Sequence, residues 1–209
     1  MVNDPTLYPS NGSHRGMLVW KWTSPVTTLS SAPVGGGLNR PDWLLNIGVP
    51  HDYDRTDLED HVKQTAAEID LAGTGAALFT AVNVARFQRS MCGGVMAHAT
   101  VGIAKPTWAA DPTGGYSPWM PGTINLVIQL PVGLEPAAAV NAVITATEAK
   151  TQALHEQGVP GTGTASDAVV IVWPTDAEAE LFAGPRSEWG ARIAQASYAA
   201  VLSGIGTPR

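Results

Sequence analysis

Apolar and polar positions follow two rhythms along this chain. Met17-Leu18-Val19-Trp20-Lys21-Trp22 and Trp43-Leu44-Leu45-Asn46-Ile47-Gly48-Val49 are short, nearly unbroken apolar runs, the pattern of buried strands. Ala76 to Thr80, Val95 to Ala104 and Gly122 to Leu130 read as further strands. Leu29 to Leu38, rich in Ser, Pro and Gly, reads as a loop. From Asp54 to Leu71 a helical period takes over, with Leu58, Val62, Ala66 and Ile69 on one stripe and the charges on a solvated face. Asp54 or Thr56 can cap this helix, and Gly73 follows its end. A second helix, from Pro136 to about Gln157, is bracketed by proline in its first turn and Gly158 beyond its last. Its polar stripe carries Asn141, Thr145, Glu148, Gln152 and His155. Lys150 lies on the opposite side among Ala139, Val143, Ala146 and Leu154, so it and Glu148 point apart. A third helix runs from Ser187, a cap, to Leu202, with Trp189, Ile193, Ala196 and Ala200 inward.

These elements predict an α+β fold, a single domain with a mixed β-sheet packed by helices, with α/β as the alternative. The polar, Pro- and Gly-containing residues 1–16 are expected to be a flexible N-terminal segment, and residues 17–209 the domain. Lys105 to Pro121, with Trp108, Tyr116 and Trp119, reads as a long loop.

Gly161 to Val172 concentrates candidate chemistry. Glycines at 161 and 163 alternate with the hydroxyls of Thr162 and Thr164, and Asp167 stands where this loop meets a β-branched run. Asp167 can serve a site from that rigid edge, or can bond its own loop amides. Lys150 is either a snorkelling amine or a cation paired with such a carboxylate.

Composition narrows the partners. The 209 residues are 44% hydrophobic and 14% charged, with a net charge of −6. No Lys/Arg block offers a footprint for nucleic acid or an anionic membrane, and no segment reads as a signal peptide or membrane span. A single cysteine, Cys92, excludes an internal disulfide. A cytoplasmic protein is expected. The five histidines lack zinc-ligand spacing, so no protein metal site is expected. Gly35-Gly36-Gly37 lacks the lysine of a phosphate-binding loop, and seven tryptophans offer surface for a flat ligand.

Taken in order, Leu29 to Ala32, Val34 to Leu38, Asn46, Phe79 to Ala81, Thr100 to Gly102, Gly122 to Asn125, Asn141 to Thr151, Gly161 to Val172 and Ala183 to Pro185 resemble the adenosylcobinamide amidohydrolase family. The resemblance spans roughly residues 17 to 203, with Asn141 to Thr151 and Gly161 to Val172 its most specific segments. Ala104-Lys105-Pro106 departs from the family's Ser/Gly-Asn-Pro tendency. The resemblance implies hydrolysis of the amide joining aminopropanol to the corrin ring, giving adenosylcobyric acid for cobalamin salvage. The partner is then a small corrinoid whose cobalt belongs to the substrate, with no separate cofactor. Asp167 or Glu148 is a candidate base and Lys150 a charge stabiliser. Ser30, Ser31, Gly35, Gly36, Gly37, Asn46, Thr123, Asn125, Thr162 and Thr164 are candidate substrate contacts. Two alternatives stand beside this: a corrinoid binder without catalysis, and an amidohydrolase that processes itself at a Gly-Thr junction, Gly122-Thr123 or Gly163-Thr164.

Overall fold

A computed structural model describes residues 2–12, 14–112 and 122–206. The strands are β1 (Thr6–Tyr8), β2 (Met17–Lys21), β3 (Val26–Ser30), β4 (Gly37–Asn39), β5 (Trp43–Gly48), β6 (Gly75–Thr80), β7 (Gln88–Cys92), β8 (Val95–Val101), β9 (Ile124–Gln129), β10 (Gly133–Leu134), β11 (Ala168–Pro174) and β12 (Ala179–Glu180). The helices are α1 (Leu58–Glu68), α2 (Pro136–Glu156) and α3 (Glu188–Ile205). One sheet has the order β1-β2-β5-β6 and the larger one β4-β3-β11-β9-β8-β7, while β10 and β12 form a small parallel pair. Each main sheet is antiparallel except for one parallel step, β5–β6 in the smaller and β9–β11 in the larger. The fold is α+β with mixed sheets.

The two-residue period sorts these strands into layers. Val169, Ile171 and Trp173 of β11 face a core shared with α2 and α3, while Ala168, Val170 and Val172 face the other sheet. In β2, Leu18 and Trp20 point between the sheets and Met17 and Val19 toward α1. The result is helix, sheet, sheet, helix. Continuous apolar runs are what strands buried on both faces require. Alanines 138, 139, 142, 146 and 153 of α2 are fully buried, so its backbone lies close to the larger sheet. No described helix is long and apolar enough to cross a membrane.

Several expectations need correction. Within the stretch expected to be a flexible N-terminal segment, β1 pairs with β2, and Asp4 bonds both His98 and Arg89. Polar anchors hold this stretch, so it lacks the apolar run that marks a strand. The expected loop from Leu29 begins inside β3 and ends inside β4. Asp57, not Asp54 or Thr56, occupies the α1 N-cap position, and makes no side-chain cap bond because Arg55 engages its carboxylate twice. The α1 end turns through Asp70 at φ 52° before Gly73 at φ 85°. Tyr116 and Trp119 lie outside the described residues, and Trp108 is exposed.

Candidate active site

β9 and β11 are parallel neighbours, with Asn125 opposite Ala168. Their common starting edge brings together the residues just before each strand, Thr123 on one side and Ser166 and Asp167 on the other. Thr123 and Ser166 line a cleft of about 470 Å³, bounded also by Asn125, by the end of β6 and by the segment leading to α1. The two hydroxyl oxygens are 2.7 Å apart, and Ser166 Oγ donates to the Gly122 carbonyl at 3.2 Å. Each hydroxyl has one proton, so the direction follows. Thr123 donates to Ser166, and Ser166 donates to Gly122.

Lys150 and Asp167 lie beside this hydroxyl pair. Lys150 Nζ donates to Asp167 Oδ2 at 2.5 Å, and their side chains are only 7% and 11% exposed. Thr164 N also donates to Oδ2, while Thr164 Oγ1 and Ile124 N donate to Oδ1. Four donors meet a carboxylate with about four lone-pair positions. Asp167 is therefore saturated, and its bond to Ile124 N fixes the residue next to Thr123. Gly163 is dictated by this pair: a Cβ there would come 2.3 Å from Asp167 Oδ2 and 2.6 Å from Lys150 Nζ. Asp167 thus bonds its own loop amide and pairs with Lys150.

A buried polar chain supports the other side. Asn46 Nδ2 donates to Thr100 Oγ1, and Asn125 Nδ2 donates to Asn46 Oδ1 and the Phe79 carbonyl. These bonds orient the Asn125 amide beside the cleft. Tyr53 stacks on Phe79 with ring centroids 5.8 Å apart, and its hydroxyl lies 2.7 Å from His61 Nδ1. Burial pushes the Tyr53 phenol up and the His61 imidazole down, favouring the neutral form of each. At the mouth, Arg55 grips Asp57 through two nitrogens and holds its carboxyl down at about 2.

The remaining sequence candidates are scattered. Glu148 is on the exposed face of α2, beside Thr147, Thr151, Gln152 and His155, and does not line the cleft. Ser30 Oγ accepts from Ala32 N, and Ser31 Oγ from Val169 N, so both serve the end of β3. Gly35 and Gly36 let their loop cross tightly: a Cβ would meet Gly75 O at 2.4 Å and Ala32 O at 2.2 Å. Gly37 opens β4 at φ 77°. None of these three lines the cleft. Thr162 accepts from Ala109 N through its hydroxyl and ties the glycine loop to the segment around Thr107. Among the described residues, no three or more His, Cys, Asp or Glu side chains form a metal-holding group.

Ser166, Tyr53 and Arg55 also line the cleft and were not among the sequence candidates. Ser166 could have been found from its place just before Asp167 and the strand. Tyr53 and Arg55 lie in a polar stretch whose approach to the cleft depends on where α1 docks.

The chain as a whole matches a known family. The family model for adenosylcobinamide amidohydrolase matches residues 4–208. A protein named adenosylcobinamide amidohydrolase from Halobacterium salinarum is 33% identical over 186 residues, covering 85% of this chain and 79% of that protein. One of the same name from Methanosarcina mazei is 27% identical over 184 residues, covering 84% and 88%. Among solved structures, the L-aminopeptidase D-Ala-esterase/amidase of Ochrobactrum anthropi, described as a variant of the Ntn hydrolase fold, aligns at a TM-score of 0.44. Its identity is 12%, over 98% of this chain and 85% of that one.

Proposed function

The chain belongs to the adenosylcobinamide amidohydrolase family, and from that premise we propose that it hydrolyses the amide between aminopropanol and the corrin ring of adenosylcobinamide. The products are adenosylcobyric acid and free aminopropanol, a corrinoid salvage reaction placed in the cytoplasm. Cobalt enters and leaves as part of the substrate.

The observation that carries the mechanism is the hydroxyl pair of Thr123 and Ser166 lining the cleft. A cavity of about 470 Å³ has the size of a small-molecule pocket. It accommodates an amide arm, with the macrocycle outside at the Tyr53 and Arg55 rim. Thr123 Oγ1 adds to the substrate carbonyl carbon as its proton passes to Ser166 and the Ser166 hydroxyl proton passes to the carbonyl oxygen, giving a neutral tetrahedral adduct. Collapse breaks the carbon–nitrogen bond, the leaving amine takes the proton of the adduct's hydroxyl, and water hydrolyses the resulting ester to the carboxylate. Lys150 and Asp167 hold the two strand ends in register and do not touch the substrate.

The test is direct. Purified protein, without added metal, is incubated with adenosylcobinamide, and the corrinoid is followed by chromatography with mass detection. Adenosylcobyric acid and an equal amount of aminopropanol are expected. Intact substrate after prolonged incubation with folded protein contradicts the proposal.

A further inference from the structure

We infer that the chain cleaves its own Gly122–Thr123 peptide bond and that Thr123 then works as an amino-terminal residue. This rests on the reading of Thr123 as the reacting hydroxyl and adds a covalent maturation step to it.

The first observation is the direction of the relay. The Thr123 proton leads to Ser166 Oγ, and the Ser166 proton leads to the Gly122 oxygen, 3.2 Å away. That oxygen belongs to the peptide bond immediately before Thr123. One hydrogen-bonded path therefore joins the nucleophile to the carbonyl it would attack. Gly122 contributes by lacking a side chain: a Cβ would lie 3.2 Å from Gly102 O. The second observation concerns the base. Asp167 has its lone pairs committed, Glu148 is on another face, and no histidine lines the cleft. Of the carboxylates nearby, Asp54 lines the cleft from the segment that enters α1, and Asp57 is tied to Arg55. An α-amine titrates near ~7.7–8.0, close to working pH, where a general base is most effective. Cleavage before Thr123 would create such an amine on the same residue as the hydroxyl.

The step balances without an added reagent other than water. Thr123 Oγ1 bonds to the Gly122 carbonyl carbon while its proton moves to Ser166 and the Ser166 proton moves to the carbonyl oxygen. The tetrahedral centre breaks its bond to Thr123 N, which takes back that proton, leaving an ester between Gly122 and Thr123 Oγ1. Water hydrolyses the ester to the Gly122 carboxylate and restores the Thr123 hydroxyl beside a free amine. The new terminus stays anchored, because Asp167 holds Ile124 N and Gly102 N donates to Thr123 O.

Intact-mass spectrometry and amino-terminal sequencing of the denatured full chain, freshly purified and after prolonged incubation, provide the test. The expected result is two polypeptides, residues 1–122 and 123–209, that co-elute before denaturation. Thr123→Ala should remain a single chain of 21.8 kDa, and Ser166→Ala should slow cleavage at least ~10-fold, with thermal melts confirming that both fold. A wild-type chain that stays at 21.8 kDa, active or inactive, overturns the inference. Two polypeptides with no corrinoid turnover would uphold self-cleavage and contradict the proposed function, so the two failures are distinguishable.

Discussion

Lys150 is a charged side chain only 7% exposed, and Asp167 is what makes that burial tolerable. Removing one partner of a buried pair leaves the other uncompensated, at a cost of about 3–5 kcal/mol. Lys150→Met and Asp167→Asn are therefore expected to lower the melting temperature clearly and to reduce turnover at least ~100-fold through displacement of Thr123 and Ser166. Thermal melts beside steady-state kinetics check this, and melts and rates like wild type would contradict it. Gly163→Ala should behave similarly, because its Cβ has no room beside the pair. By contrast, Glu148→Gln should leave kcat within about twofold, as an exposed substitution away from the cleft. The wheel position of Lys150 and the loop-to-strand position of Asp167 were legible in the sequence. The saturation of Asp167 was not, because Ile124 N and Lys150 reach it through tertiary packing.

At the scale of elements, the parallel step between β9 and β11 matters most to the proposed site, since it sets Thr123 beside Ser166. The apolar runs identified these strands, and the bracketing residues identified α2 and α3. Parallel pairing itself was hidden, because sequence periodicity reports burial and not a strand's neighbour. β3, β4 and β7 were missed for a related reason: they carry threonines, serines or glycine where a buried strand shows a continuous apolar run. Ser187 is a cap that was legible; its hydroxyl accepts from Gly190 N at 3.0 Å. Ser187→Ala should cost about 1 kcal/mol, a melting shift of roughly 2–4 °C for a chain of this size, without loss of turnover per folded molecule. A calorimetric scan would read the shift. A melt unchanged from wild type would mean that the bond contributes nothing net.

On the scale of the whole molecule, the cleft exists because two sheets stack face to face and are lined by polar groups at one end. Three histidines are buried in the structure: His14, His61 and His98. Burial lowers each imidazole below its ordinary 6.5, with Asp4 partly offsetting this at His98. The unfolded chain then binds more protons than the folded one as pH falls below 6.5, so stability is full above that value and declines beneath it, down to the folded pKa values. Melts should therefore be lower at pH 5 than at pH 7.5, and the reverse order would contradict the assignment of neutral buried imidazoles. Two-sheet layering was only partly legible, since the sequence predicted a mixed sheet and helices without separating two sheets. The central claim is the proposal that Thr123 performs hydrolysis in the cleft between them. Wild type and Thr123→Ala, both shown to be folded, should be compared for release of aminopropanol from adenosylcobinamide. The account predicts stoichiometric release by wild type and at least ~100-fold slower release by the variant. Release by Thr123→Ala at the wild-type rate would contradict it.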